Sequence, residues 1–539
     1  MTVRTLPGPV RRNAQPLRAF PPGSAGKQAS GRKETRMNIK IDRQDKVPVY
    51  LQIVDQIKTQ ILRGTLPAGS TLPSERALAQ LLDIHRNTVV KAYSELKSDD
   101  WIESRQGVGY IVSSAQCECP GESVPEKAES GDTEIRRSKR VNWVGEIKKE
   151  YLEMEKTFDD LFQRFTDESR YSLGSGIASY EVFNTEKVAS DIAFLLTEGR
   201  KSQYFYSPYK GDRFLRQKLV SFLGTKGIKA SAGEIQILSE TNQALDFIAT
   251  LLVRKGDVVL MEEPVSPDTY RAMELAGSKV YTIPVDQDGM RCDILERMVI
   301  QKKPRLIFVN SSFHDPTGNI LPLERRRKII EISNHYRIPV VEEDAASELV
   351  YEGEKLPPIK TLDTSGNVIY IYSFSLSFLP GLSLAFVVAN KELIGSLSYL
   401  VSVRLMSTDW MTQKLLGLYL DNGTYYQALE VFCRNYKEKQ QIVCEKLDGM
   451  KPLGVAYHRP RGGIYIWCKL PDGVDSKSFI NRAYNMGVSL LPGYVFYPHK
   501  NGGRNHIRIN YSYESKERLC AGMDIMRRAL EEELLEREK

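Results

Sequence analysis

Long apolar runs are missing from this 539-residue chain. No stretch of about 18 consecutive apolar residues occurs, so a membrane-spanning helix is not expected. The first thirty-six residues also lack the apolar segment of a secretory signal. Cysteine is scarce. The seven cysteines, at positions 117, 119, 292, 433, 444, 468 and 520, are odd in number and scattered. None shows paired metal-ligand spacing, and Cys117-x-Cys119 is too tight and isolated for a zinc site. A disulfide framework and a structural metal centre are thereby excluded, and reduced thiols in a cytoplasm are expected. Charge of one sign is lacking over most of the chain as well. The 75 basic and 68 acidic residues leave +7 overall. Residues 1–36 carry eight basic residues against Glu34 alone, which accounts for the whole excess. From Met37 onward the chain is formally neutral, so a case for nucleic-acid binding must rest on motifs rather than on net charge.

What is present is ordinary globular composition, 41% hydrophobic and 27% charged. At roughly 100 to 200 residues per domain the length predicts two to four domains. Residues 1–36, rich in Pro, Gly, Ser and Arg and without apolar periodicity, are expected to be a disordered basic tail. Met37 begins the first patterned segment and is a candidate alternative start.

Residues 37–114 read as a winged helix-turn-helix. Tyr50, Ile53, Val54, Ile57, Ile61 and Leu62 fall at helical spacing over Val49–Leu62, and Gly64 ends the run. Ser74 can cap a short helix with Leu78, Leu81 and Leu82 on one face. A further helix from about Arg86 to Lys97 repeats Val89, Ala92, Tyr93 and Leu96, and turns Arg86, Asn87, Thr88 and Lys91 the other way. Two strands, Trp101–Ser104 and Tyr110–Val112, flank the basic, glycine-rich tip Arg105-Gln-Gly-Val-Gly109. An exposed second helix can enter the major groove while such a tip reaches an adjacent groove or the backbone. A small helical module used for protein contacts would share the pattern. The strings Leu72-Pro-Ser-Glu-Arg-Ala-Leu-Ala-Gln-Leu-Leu82, His85-Arg-Asn-Thr-Val-Val-Lys-Ala-Tyr-Ser-Glu-Leu96 and Arg105-Gln-Gly-Val-Gly-Tyr110 resemble the GntR family of bacterial regulators almost throughout. The resemblance implies double-stranded operator DNA as partner and Arg76, Arg86, Asn87, Thr88, Lys91, Arg105 and Gly107 as contacts. His85 departs from it, because a Ser or Thr cap is usual there.

Residues 115–165, rich in Ser, Glu, Gly and Lys with a basic cluster at 136–140, read as a linker. From 166 to 539 short apolar runs alternate with helical patterns: Ile235–Leu238, Val258–Met261, Lys279–Ile283, Leu306–Val309, Val340–Glu343, Val368–Ile371 and Leu384–Val388. The alternation predicts an α/β domain with a mostly parallel sheet and helices on both faces. Gly462–Trp467 and His506–Tyr511 suggest a smaller α+β C-terminal subdomain. Strand ends in such sheets are where ligands bind.

The landmarks Tyr206-Ser-Pro-Tyr-Lys-Gly211, Ser239-Glu-Thr-Asn-Gln-Ala-Leu245, Asp315-Pro-Thr-Gly318, Glu342-Glu-Asp344, Ser373-Phe-Ser375, Pro380-Gly-Leu382 and Arg459-Pro-Arg-Gly-Gly463 resemble, in order and spacing, a fold-type I aminotransferase. With a GntR head, the arrangement is similar to the MocR subfamily of regulators. The resemblance implies the cofactor pyridoxal phosphate (PLP), whose chemistry needs a lysine amine, an acid at the pyridine nitrogen and donors for the phosphate. Several family positions depart. Leu376 stands where the Schiff-base lysine follows Ser375, Ser383 where a phosphate-gripping arginine falls, Ser266 where the ring-stacking aromatic sits, and Ala345 where a tyrosine follows the acid. The acid falls at Glu343, and Asp315 replaces an asparagine. Tyr206, Thr241, Asn242, Ser373 and Ser375 remain. Arg508 matches the arginine that binds a substrate carboxylate, and a structural salt bridge is the alternative reading for it.

The expectation is a cytoplasmic DNA-binding transcription regulator. Its aminotransferase-like domain would serve homodimerisation and sensing of a small-molecule effector with a carboxylate, without catalytic residues and without covalently bound PLP. The alternatives are a working PLP-dependent aminotransferase and a regulator that binds PLP noncovalently.

Overall fold

A computed structural model describes residues 48–113 and 167–537, apart from 63–65, 68, 99–100, 106–108, 168, 180–183, 198–205, 379–380, 383 and 500–501, together with a few isolated positions. The basic tail, most of the expected linker, the wing-tip Gly107 and Ser383 lie outside the described residues. The chain divides into two units, Met1–Lys139 and Arg140–Lys539.

The first unit contains helices α1 (Val49–Leu62), α2 (Glu75–Leu81) and α3 (Arg86–Ser98), then strands β1 (Ile102–Arg105) and β2 (Gly109–Val112). The periodicity of α1 is realised as a buried stripe, with Ile53 and Ile57 at 0% exposure. Val89, Ala92, Tyr93 and Leu96 of α3 are sealed against it. At about 1.5–3 kcal/mol per large apolar side chain, this cluster drives the small unit's folding. Ser74 caps α2 by accepting the Ala77 N–H at 3.2 Å. Leu81 corrects the expectation for that helix: it is 66% exposed, because α2 ends there and only Leu78 lies fully on the inner face. The wing pairs antiparallel, Ile102 with Val112 and Arg105 with Gly109.

The second unit is built on an eight-stranded sheet. After the short β3 (Tyr171–Ser172) come β4 (Ile235–Leu238), β5 (Val258–Glu263), β6 (Lys279–Asp286), β7 (Gly289–Met290), β8 (Leu306–Asn310), β9 (Val340–Asp344), β10 (Val368–Ser373) and β11 (Ala385–Val388), in spatial order β4-β11-β10-β9-β8-β5-β6-β7. The core strands run parallel as expected. The segment read from Leu384–Val388 runs the other way, antiparallel to both neighbours, so the sheet is mixed. Strand β10 shows why its sequence is almost uniformly apolar. Ile369 and Ile371 pack on one face with helix Thr241–Leu252, and Tyr370 and Tyr372 on the other.

The C-terminal subdomain has a four-stranded antiparallel sheet from β12 (Ala456–Tyr457), β13 (Tyr465–Lys469), β15 (Leu491–Pro492) and β16 (His506–Asn510). Strand β14 (Val488–Ser489) pairs parallel with β3, tying the first described strand of this unit to its last third. Among the described residues no helix is long and apolar enough to cross a membrane, and the five described cysteines are unpaired.

One close approach joins the two sheets. Phe313, just past β8, has φ +53° and 4% exposure, and its ring lies against Gly462 and Gly463. A Cβ on Gly462 would stand 2.2 Å from the Leu349 carbonyl oxygen and 2.3 Å from the Phe313 ring. Gly462→Ala should therefore destabilise the large unit by on the order of 2–4 kcal/mol. Denaturant unfolding should show a lower midpoint for this unit with the head's transition unmoved.

Candidate ligand cleft and DNA-reading surface

In the head, α3 starts at Arg86, one residue after His85. The imidazole Nδ1 of His85 accepts the Asn87 N–H at 3.2 Å. A ring nitrogen thus supplies the cap for which a hydroxyl is usual, and an otherwise orphaned first-turn donor is satisfied. Arg76, Arg86 and Asn87 are exposed and Thr88 is half-buried. Arg86 places Nε and a terminal guanidinium nitrogen 3.2 and 2.8 Å from one carboxylate oxygen of Glu75, whose other oxygen accepts the Tyr110 hydroxyl at 3.0 Å. The Arg86 bond, ahead of the smaller opposing effect of burial, holds Glu75 below the usual carboxylate range. One acid on α2 therefore joins the first turn of α3 to the wing. Lys91 stands with its ammonium 3.9 Å above the Tyr50 ring. Arg105 contributes its backbone to the wing pairing.

In the large unit a cleft of about 420 Å³ opens at the carboxyl ends of the parallel strands, where loops diverge and ligands are commonly taken up. Of the positions singled out from the sequence, Thr241, Asn242, Ser266, Asp315, Glu343, Ala345, Ser375 and Leu376 all line it. Ser373 lies one layer back: its hydroxyl donates to Ser375 Oγ at 2.9 Å and accepts the Ser375 N–H. Leu376 is 8% exposed and packs into the main core cluster. Tyr206 is 74% exposed and does not line the cleft of its own chain.

Arg508 is engaged within the folded chain. Its side chain is 7% exposed, and one terminal nitrogen contacts both carboxylate oxygens of Asp315 at 2.8 and 3.0 Å. The other donates to the Gly174 carbonyl at 3.1 Å. Burial pulls its pKa down, and the charge of Asp315 more than restores it. The guanidinium also lies 4.2 Å from the Tyr465 ring centre. In this conformation Arg508 forms an ion pair with Asp315 through one terminal nitrogen, while its Nε is buried without a partner.

Glu343, the penultimate residue of β9, lies beside Asn310 of β8, its partner in register. Burial first, and then the negative charges of Asp315, Asp268 and Asp344, push the Glu343 carboxyl up to about 8. Glu262, a fully buried neighbour, is pushed to about 8 by burial despite the Asn310 N–H it accepts. Sequence reasoning passed over Glu240, Asp268, Asn310 and Tyr465, all of which line the cleft. Glu240 sits inside a quoted landmark and Tyr465 beside another, so a signal existed for both. Asp268 and Asn310 join them only through the topology.

A winged helix-turn-helix and an eight-stranded transferase sheet with a strand-end cleft together define a DNA-binding regulator with an aminotransferase-like domain. The chain belongs to the aminotransferase class I and II family, whose model matches residues 171–522. The gntR family of bacterial regulatory proteins matches residues 49–112. That fusion is the MocR-type organisation. Among relatives, an uncharacterized HTH-type transcriptional regulator, YdfD of Bacillus subtilis, is 28% identical over 89% of this chain and 95% of its own. The probable rhizopine catabolism regulatory protein MocR of Rhizobium meliloti is 26% identical over 84% of this chain and 88% of its own. Among solved structures, the α-aminoadipate aminotransferase LysN of Thermus thermophilus, complexed with N-(5'-phosphopyridoxyl)-L-leucine, superposes with a TM-score of 0.68 at 30% identity, covering 73% of this chain and 100% of that one.

The charge crowding at Glu343 has a signed consequence. Its folded value lies above the ordinary 4.5, so the folded state holds the extra proton. Stability from this group is present below about 4.5 and is lost as pH rises toward 8. Glu343→Gln should leave stability unchanged near pH 5 and raise it by on the order of 1–3 kcal/mol near pH 8, as read by chemical denaturation of variant and parent across that range.

Proposed function

We propose that this regulator reads a two-fold operator as a homodimer and that its aminotransferase-like domain is a non-catalytic ligand-sensing and dimerisation module. The observation that carries the reading is Leu376: an apolar side chain packed into the core follows Ser375, where the family resemblance puts the Schiff-base lysine. Among the described residues lining the cleft there is no lysine or arginine at all.

The residues present do not fit PLP. Among the described residues lining the cleft, no amine is at hand to condense with an aldehyde. The helix Thr241–Leu252 begins at the cleft, and its N-terminus would favour an anion, but the residue preceding it, Glu240, is an acid that also lines the cleft and makes no capping bond to the helix. Ser375 and Ser373 spend hydroxyl contacts on each other. Noncovalent PLP would keep an acid, Glu343, for its ring nitrogen, but among the described lining residues it would find no cation for its phosphate. No catalytic step is assigned to the cleft.

For DNA, Arg86, Asn87 and Thr88 at the start of α3 read base edges, while Lys91, Arg76 and the Arg105–Gly107 wing tip supply further contacts. The salt link to Glu75 preorganises Arg86 rather than removing it, since half its side chain is open to solvent (51%). Dimerisation through the large unit rests on the resemblance to fold-type I enzymes, with exposed Tyr206 reaching toward the partner subunit.

Two measurements test this reading. Arg86→Ala should weaken specific operator binding by roughly 1–3 kcal/mol, with a smaller effect on unrelated DNA. Footprint titration at fixed salt is the assay, and equal affinity for parent and variant would remove Arg86 from the contact set. Purified protein treated with PLP and then borohydride should yield no pyridoxyl-lysine peptide on digestion. A single modified lysine together with turnover of amino acids would make the domain an enzyme.

A further inference from the structure

The charge inventory of the cleft is one-sided. Glu240, Asp268, Asp315 and Glu343 all line it, and the cation next to them, Arg508, gives its terminal nitrogens to Asp315 and Gly174 and keeps its Nε buried without a partner. Among the described residues the other three carboxylates form no salt bridge, although the Arg508 charge is felt at Asp268, in a site walled by Phe313, Ala346 and Leu376. Carboxylates crowded in this way repel each other and disfavour ionisation.

Acidity alone does not define a site, but the neutral polar groups of the cleft point the same way. Tyr465 is 8% exposed, and among the described residues its hydroxyl has no hydrogen-bond partner. A Cβ on Gly176, which also lines the cleft, would stand 3.1 Å from that hydroxyl, so a larger residue there would crowd the Tyr465 tip. Asn310 Oδ1 is buried and likewise without a partner. Asn310 and Glu343 are register partners on adjacent parallel strands, which sets their side chains next to each other on one face. A carboxylate, an amide oxygen and a hydroxyl oxygen thus await donors. An ammonium group offers three donors and no acceptor. A metal ion matches less well, because among the described residues no three histidine, cysteine, aspartate or glutamate side chains are grouped to hold one.

We propose that this cleft binds an aliphatic diamine bearing no phosphate or carboxylate, one ammonium meeting Glu343, Asn310 and Tyr465 and the carbon chain lying along Leu376 and Phe313. The second ammonium is met by Glu240 and Asp268, the latter exposed at the rim. The inference rests on the cleft being a sensor rather than a catalytic centre, and it replaces the effector with a carboxylate that the sequence suggests. It also has a pH signature. Glu343 faces Asp315, Asp268, Asp344, Glu262 and Tyr465, with Arg508 already paired. It must be ionised to hold the ammonium, so binding tightens as pH rises through about 8.

The test is calorimetric titration of the full-length protein with putrescine as the diamine, with glutarate, PLP and magnesium chloride titrated separately. The expected result is saturable binding of putrescine at one per chain, at least tenfold tighter near pH 8.5 than near pH 6.5, and no binding of glutarate or PLP. Glu343→Gln should lose at least tenfold in affinity. Asp268→Asn, at an exposed position in the first turn of the helix Pro267–Leu275, should lose several-fold while circular dichroism shows the parent's fold. Absence of putrescine binding at both pH values, equal affinity in parent and both variants, or preferential binding of glutarate or magnesium would overturn the proposal. The two readings fail separately. A borohydride-trapped pyridoxyl-lysine defeats the non-catalytic domain, whereas a protein that takes neither PLP nor putrescine defeats only the diamine.

Discussion

The ion pair between Arg508 and Asp315 is the constraint around which the large unit is arranged. Arg508 stands on the small antiparallel sheet, Asp315 follows a strand of the large one, and Gly174 follows the first strand of the unit. One guanidinium therefore fastens three chain segments across the floor of the cleft. A buried pair of this kind is costly to break because the surviving charge is left without compensation, even though the intact pair adds little net stability over a well-packed apolar substitute. Asp315 does two things at once: it anchors the subdomain and it engages the nearest cation. The acidic character of the cleft follows from that engagement as much as from the acids themselves.

The head is the part most legible in its amino-acid sequence. Its helices pack by local period, and Ile53, Ile57, Val89 and Leu96 fall on the inner faces that the spacing of three and four implies. Leu81 escapes that rule because a seven-residue helix buries barely one turn of its pattern, and its last residue is free to face solvent. In the large unit the strands are legible as apolar runs, but their direction is not. Hydrophobicity carries no sign along the chain, so the antiparallel insertion of Ala385–Val388 between two oppositely directed neighbours becomes visible only in the sheet.

The cleft divides in the same way. Family landmarks mark Thr241, Ser266, Glu343 and Leu376, which converge on one cavity. The landmarks are silent about how the charges settle. The pairing of Arg508 with Asp315 spans 193 residues, and both readings of the arginine are equally compatible with its neighbours in the chain. Asn310 and Asp268 have no motif of their own. They are placed by the topology of the sheet, which is a property of the folded chain.

Glu75 offers a last consequence. This one carboxylate receives Arg86 from the helix and Tyr110 from the wing, on separate oxygens. A substitution at either contact leaves the other facing an acid whose charge is now unshared. The two surfaces therefore share one footing. Altering the residue at position 86 also changes the support of the wing, so the energies of substitutions on the helix and on the wing are coupled through Glu75 rather than additive.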